Sequence, residues 1–137
     1  MISKFEKIAY EVLNSRQQEN YNYQKISAVL ADYGFVTIKL SDDWNGADFI
    51  AQHISGETLL VQLKGRLAFD KKYLGKNLWI CFRDANGWYL YPHDELLKRI
   101  LAESNVSNTV SWSDRGIYNY PSLSRQQKLW LDAYKLT

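Results

Sequence analysis

Between Asp48 and Lys64 apolar and polar side chains alternate on both sides of Ser55-Gly56-Glu57, and this alternation constrains the fold more than any other feature of the chain. A period of two belongs to a β-strand with one face buried. Two such runs, residues 48–54 and 58–64, joined through a short glycine-containing loop, predict an antiparallel hairpin. With Ser55-Gly56-Glu57 as the loop, Ile54 stands opposite Thr58, Ile50 opposite Gln62 and Asp48 opposite Lys64. Even-numbered positions then share one face, so Asp48, Gln62 and Lys64 converge. The odd face carries Phe49, Ala51, His53, Leu59, Val61 and Leu63, an apolar surface suited to a covering helix, with His53 as a satisfied core residue. A register slip of one residue would separate the polar trio.

Upstream, Phe5, Ile8, Ala9, Val12 and Leu13 recur at helical spacing and predict an amphipathic helix over residues 2–14. A polar break at 15–20 precedes a second helix over 21–33, with Ile26, Val29, Leu30 and Tyr33 on one face and Gly34 as its stop. Residues 35–40 form a first strand, closed by turn formers at 41–46. Downstream, 77–83 and 88–91 predict a second hairpin that turns at 84–87, where Asn86-Gly87 is a strong turn signal. His93 opens a helix over 95–103 and reads as a helix-start residue rather than a metal ligand. After a polar, aromatic-dotted stretch, Ser124 caps a last helix over 124–136 with Trp130 in the core. Trp112, Tyr118 and Tyr120 read either as core or as a stacking surface for unpaired bases. This order of elements predicts an α/β fold of the α+β sandwich type, a mixed sheet flanked by helices, in one domain spanning 1–137.

The composition, 46% hydrophobic and 23% charged, is that of a globular chain rather than a disordered one. Cys81 is the single cysteine and sits in an apolar run, so it reads as a small buried hydrophobe. No apolar stretch approaches the roughly 20 residues that cross a bilayer, and no signal-like segment leads the chain, so the expected address is the cytoplasm, with no membrane partner. The net charge of +2 is unevenly spread. Lys64, Arg66, Lys71, Lys72 and Lys76 crowd one segment that holds a single acid, Asp70, a pattern that reads as a phosphate-contacting patch or as solvated lysines.

The stretch Trp44-Asn45-Gly46-Ala47-Asp48-Phe49-Ile50, followed across the hairpin by Leu60-Val61-Gln62-Leu63-Lys64-Gly65-Arg66, resembles the PD-(D/E)XK nucleases. The resemblance covers residues 21–82. Ala47 stands where the motif has Pro, and Gln62 where it has an acid, a replacement found in active branches of that family and in silent ones. The resemblance implies a restriction endonuclease-like core in which Asp48, Gln62 and the backbone carbonyl of Leu63 hold Mg²⁺ or Mn²⁺. It implies that Lys64 orients or deprotonates the attacking water, or neutralises charge on the phosphate. Gln24 on the preceding helix, or Glu19 just upstream, would complete the site. Arg66, Lys71, Lys72 and Lys76 would contact backbone phosphates, and Trp44 would stack on a base or pack on the hairpin. The function so implied is a Mg²⁺-dependent endonuclease of restriction, repair or junction type acting on nucleic acid, DNA first, with a homodimer among the arrangements open to it. The rival reading is a catalytically silent nucleic-acid-binding or protein-interaction domain of the same fold.

Overall fold

The computed structural model describes residues 4–137, apart from the side chains at 43 and 44. The elements are α1 (Ser15–Asp32), β1 (Phe35–Trp44), β2 (Ala47–His53), β3 (Thr58–Leu63), β4 (Leu67–Asp70), β5 (Leu78–Asp84), β6 (Gly87–Pro92), α2 (His93–Glu103), β7 (Ile117–Tyr120), α3 (Arg125–Leu131) and β8 (Lys135–Leu136). Among the described residues, six strands form one sheet in the order β1-β2-β3-β5-β6-β8, and β4 pairs with β7 in a second. The pairing of β3 with β5 is parallel and the others are antiparallel, so the large sheet is mixed and the fold is α/β, as the pattern predicts.

Residues 4–14 do not form the expected helix. Only a 3-10 turn at Tyr10–Val12 is helical there, and Phe5, Ile8 and Val12 are exposed at 78%, 65% and 73%. An amphipathic stripe is stable as a helix only when it is buried against something, and these side chains stay largely in solvent. The first long helix starts instead at the supposed polar break. The Asn14 side chain accepts from the Gln17 backbone N–H, and the Gln17 side chain accepts from the Asn14 N–H, a capping box that satisfies two otherwise orphaned donors. That Asn-x-x-Gln signal is present in the sequence and outweighs the apolar period before it.

β1 is longer than predicted and turns only at Asn45-Gly46, both with positive φ (53° and 86°). Glycine is required at 46 on a second ground, since a Cβ there would lie 2.8 Å from Leu78 Cδ1. In the β2–β3 hairpin Phe49 pairs with Val61, Ile50 with Leu60 and Gln52 with Thr58, while the His53 N–H donates to Glu57 O at 2.8 Å. The loop is therefore Ile54-Ser55-Gly56, one residue earlier than expected, and Asp48 does not stand opposite Lys64. Moving a loop by one residue shifts the pairing by two, which is the side-chain period, so the division between faces survives.

The odd face packs under α1: Ile26 and Leu30 meet Phe49, Ala51, Leu59 and Val61, joined by Cys81, Trp88 and Leu90. Burial pushes the Cys81 thiol well above its ordinary pKa, in keeping with an inert hydrophobe. His53 lies at the margin of this layer, half-buried, its ring nitrogens bonded to Tyr33 O (3.0 Å) and Ser55 Oγ (2.9 Å). On the opposite face of β5 and β6, Ile80, Phe82, Tyr89 and Tyr91 pack against Leu96, Leu97 and Ile100 of α2, Phe69 of β4, and Trp112 and Trp130. Trp112 is buried and Tyr118 and Tyr120 pack against this core, so the tail aromatics belong to packing rather than to an open stacking surface. The last predicted helix is split: α3 stops at Leu131, and a 3-10 turn at Asp132–Tyr134 leads into β8 on the edge of β6.

Candidate active site at the end of the hairpin

Beyond Phe49↔Val61 the pairing of β2 with β3 stops, and a side chain takes over from the ladder. The Asp48 carboxylate accepts the Leu63 backbone N–H through Oδ2 at 2.8 Å. β3 meanwhile follows β5, with Leu63 beside Cys81 and the Lys64 N–H donating to Cys81 O at 2.8 Å. The strands splay, and a cleft of about 1070 Å³ opens at this end of the sheet, walled by the N-terminal half of α1, the middle of β1, and the ends of β2 and β3. Asp48, Gln62, Leu63 and Lys64 all line it. The trio that the alternation brings together does share one cleft, although by a register two residues from the predicted one.

Within this cleft the polar atoms are unevenly satisfied. Gln62 Nε2 makes one long hydrogen bond to Leu63 O, at 3.4 Å, while its Oε1 is buried and, among the described residues, has no partner. A buried amide oxygen without a donor costs roughly 1–3 kcal/mol, so it marks a place where a ligand is missing or strain is stored. Asp48 is held by the Leu63 N–H, a charge-assisted contact that fixes its carboxylate at the cleft. The Lys64 ammonium sits over the Tyr73 ring, 5.4 Å from its centroid, and Lys72 approaches the same ring at 5.3 Å.

These groups fit a hard divalent cation. The available donors are a carboxylate, an amide carbonyl whose oxygen is otherwise unmatched, and the backbone carbonyl of Leu63, an all-oxygen set of the kind Mg²⁺ accepts alongside retained waters. Among the described residues no three of His, Cys, Asp and Glu cluster as metal ligands, so the set carries a single carboxylate at its centre.

Other predicted residues fall elsewhere. Gln24 is exposed on α1 and does not line the cleft, because the face of α1 turned toward the sheet carries Tyr23, Ile26 and Leu30; Glu19, earlier on the helix, does line it. Arg66, Lys71, Lys72 and Lys76 are exposed but lie outside the lining. Their segment is not an open loop: it is β4 followed by a 3-10 turn at Lys71–Tyr73. The side chain of Trp44 lies outside the described residues. The residues missed by sequence reasoning are Arg16 on α1, Lys39 on β1 and Arg83 on β5, all of which line the cleft. Each comes from a different element, so no local run of charge announces them.

His93 is fully buried and explains how the basic turn is held. The Asp70 N–H donates to its Nε2 at 3.1 Å, so the ring proton must be on Nδ1, which contacts Asp94 Oδ1 at 2.8 Å. Asp94 Oδ2 accepts the Gly75 N–H at 2.9 Å, so the start of α2 ties down both ends of the turn that carries Lys71 and Lys72. Burial lowers the pKa of His93, against the opposing pull of Asp94 and Asp70. It is a structural residue and not a ligand.

No family model matches the chain, and no curated protein matches it. Among solved structures the bacterial homing endonuclease I-Ssp6803I is similar over 61% of this chain and 69% of its own, with 18% identity and a TM-score of 0.40. That degree of likeness assigns neither a family nor an activity. No helix among the described residues is long and apolar enough to cross a membrane.

Proposed function

We propose that the chain is a Mg²⁺- or Mn²⁺-dependent nuclease of PD-(D/E)XK type that hydrolyses phosphodiester bonds of nucleic acid, DNA first. The observation that carries this reading is the buried, partnerless Oε1 of Gln62 in the same cleft as the Asp48 carboxylate and the Lys64 ammonium. Asp48, Gln62 and the Leu63 carbonyl would hold the metal, which when bound would supply Lewis acidity and a more acidic water. Asp48 enters already oriented by the Leu63 N–H, so little reorganisation accompanies binding. Lys64 brings a positive charge to the cleft, either against the negative charge that builds on the phosphate or next to the attacking water. Gln62 adds no charge, so the metal is held more weakly than two acids would hold it.

One observation favours a second reading, a catalytically silent nucleic-acid-binding domain: no carboxylate-rich cluster surrounds Asp48 among the described residues. Cleavage of plasmid, linear and branched DNA with added Mg²⁺ or Mn²⁺ separates the two. The expected result is metal-dependent cleavage by the wild type, reduced on the order of 10²-fold or more in Asp48→Ala and in Lys64→Ala. A wild type that cleaves nothing and shows no Asp48-dependent metal binding by calorimetry would leave the silent domain standing.

A further inference from the structure

The cations around the cleft fall into two groups that are employed differently. In the segment that sequence alone marks as basic, Lys71 lies over the Trp112 ring at 5.1 Å and packs so closely on Gly116 that a Cβ there would be 3.0 Å from its Cδ. Lys72 pairs with Asp70 at 3.7 Å and with the Tyr73 ring. These side chains pack β4 and its turn against their surroundings, and none lines the cleft. Arg16, Lys39 and Arg83 do line it, from α1, β1 and β5. Among the described residues none of these three forms an ion pair. Lys39 is steadied by Asn20 Oδ1 and the Tyr23 ring, and Arg83 lies 5.1 Å over the Trp88 ring.

Positive charges brought into one cleft from three separate elements, outnumbering the acids there and not paired with them, favour the entry of an anion. Counting Lys64, the lining holds four cations against Glu19, Asp42 and Asp48, a surplus of one positive charge that a divalent ion at Asp48 would raise to three. The cleft volume of about 1070 Å³ is at the upper limit of small-molecule sites, so it exceeds what one phosphate and one metal need.

We propose that Arg16, Lys39 and Arg83 form phosphate-gripping walls on the two sides of the cleft, Arg16 and Lys39 on the side of α1 and β1 and Arg83 beside Lys64 on the side of β3 and β5, and that a nucleic-acid strand enters between the two, held by phosphates on both sides of Asp48. This inference rests on the nuclease reading of the same site, and it moves the substrate contacts away from Lys71, Lys72 and Lys76. The walls contact phosphate rather than bases, so they are indifferent to sequence and sensitive to salt.

The test is binding of a labelled short DNA duplex in metal-free buffer, where no cleavage intervenes, across a salt series. Arg16→Gln/Lys39→Gln/Arg83→Gln is compared with Lys71→Gln/Lys72→Gln/Lys76→Gln and with Lys98→Gln, an exposed control on α2. All three wall positions are exposed, and thermal melts check that the variant folds. The wall variant is expected to bind at least 10-fold more weakly at low salt, with the slope of log K against log salt reduced by about 1 per lost contact. The Lys71/Lys72/Lys76 variant is expected to change little, and Arg16→Lys/Arg83→Lys to keep most of the affinity. Inorganic phosphate and a single nucleoside monophosphate form the other arms: competition by either as strong, per phosphate, as by the duplex would assign the walls to a small anion and overturn the strand. Equal binding by the wall variant and wild type would overturn the inference while leaving the nuclease reading intact; a wild type that binds no nucleic acid would overturn both.

Discussion

The two faces of the central sheet are packed with different materials. Under α1 the core is mostly aliphatic, built on Ile26, Leu30, Ala51, Leu59 and Val61 around Phe49, and its polar groups are met at the margin, where the Tyr23 and Ser27 hydroxyls bond Thr37 Oγ1 at 3.1 and 2.8 Å. The opposite core is aromatic and carries polar atoms into its interior: Tyr91 Oη is bonded to the Ala68 backbone, His93 to Asp70 and Asp94, and the Tyr120 hydroxyl is buried as well. In its interior the first face depends on shape and area, the second on individual hydrogen bonds as well. It is the second that fixes the turn holding Tyr73, the ring against which Lys64 rests.

The contrast is sharpest in substitutions of equal depth. Phe49, fully buried under α1, makes an edge contact with Tyr23 at 5.3 Å. Phe49→Ala is expected to cost about 3–5 kcal/mol in denaturant unfolding, by the same amount at neutral and mildly acidic pH, because no titratable partner is removed. Tyr91→Phe deletes one oxygen. That hydroxyl donates to Ala68 O at 2.7 Å and accepts the Ala68 N–H at 3.2 Å, so its loss strands two buried backbone groups and is expected to cost about 1–3 kcal/mol. A neutral Tyr91→Phe would break the distinction between the two cores.

His93 gives the aromatic face a pH dependence that the aliphatic one lacks. Its native pKa lies below the ordinary 6.5, first because burial disfavours the charged ring, so on acidification the unfolded chain takes up the proton before the native one does. The stability it supplies is therefore complete above about 6.5 and is lost as pH falls from there through the lowered native value. Protonation would also put a hydrogen on Nε2, against the Asp70 N–H. Unfolding curves in the range below the ordinary imidazole value should show a stability loss in wild type that is reduced in His93→Gln. Parallel pH profiles for the two proteins would assign the acid sensitivity elsewhere.

The same difference governs how much could be read from sequence. The hairpin, the covering helix and the division into faces follow from alternation at 48–64, because a two-residue shift in register leaves a period-two pattern unchanged. The hairpin turn over 84–87, which closes through the Asp84↔Gly87 pair around Ala85-Asn86, and the Ser124 cap are local chemistry and were legible for that reason. Residues 4–14 carry a helical period, yet Phe5, Ile8 and Val12 stay largely exposed, and periodicity does not report whether a covering surface is there. β4 escaped because its partner, β7, lies 47 residues on from Asp70 at Ile117, so the pairing is set by tertiary contact alone. At the site, Asp48, Gln62 and Lys64 were legible as one face of one hairpin, whereas Arg16, Lys39 and Arg83 meet only after α1, β1 and β5 are assembled.

Tyr120 offers the smallest and most discriminating test of the aromatic face. Its hydroxyl is buried with no hydrogen-bond partner among the described residues, and burial raises its pKa to about 12, with neighbouring Tyr118 adding to the shift. The ring itself is well placed, with edge contacts to Phe69 at 6.3 Å and to Trp130 at 6.5 Å. Tyr120→Phe keeps those contacts and removes only the unmatched oxygen. If polar atoms in this core help only when they are paired, the variant should be more stable than wild type by up to about 1 kcal/mol, in the opposite direction to Tyr91→Phe. A destabilised Tyr120→Phe would mean that the hydroxyl has a bound water as its partner, and the two tyrosines would then obey the same rule by different routes.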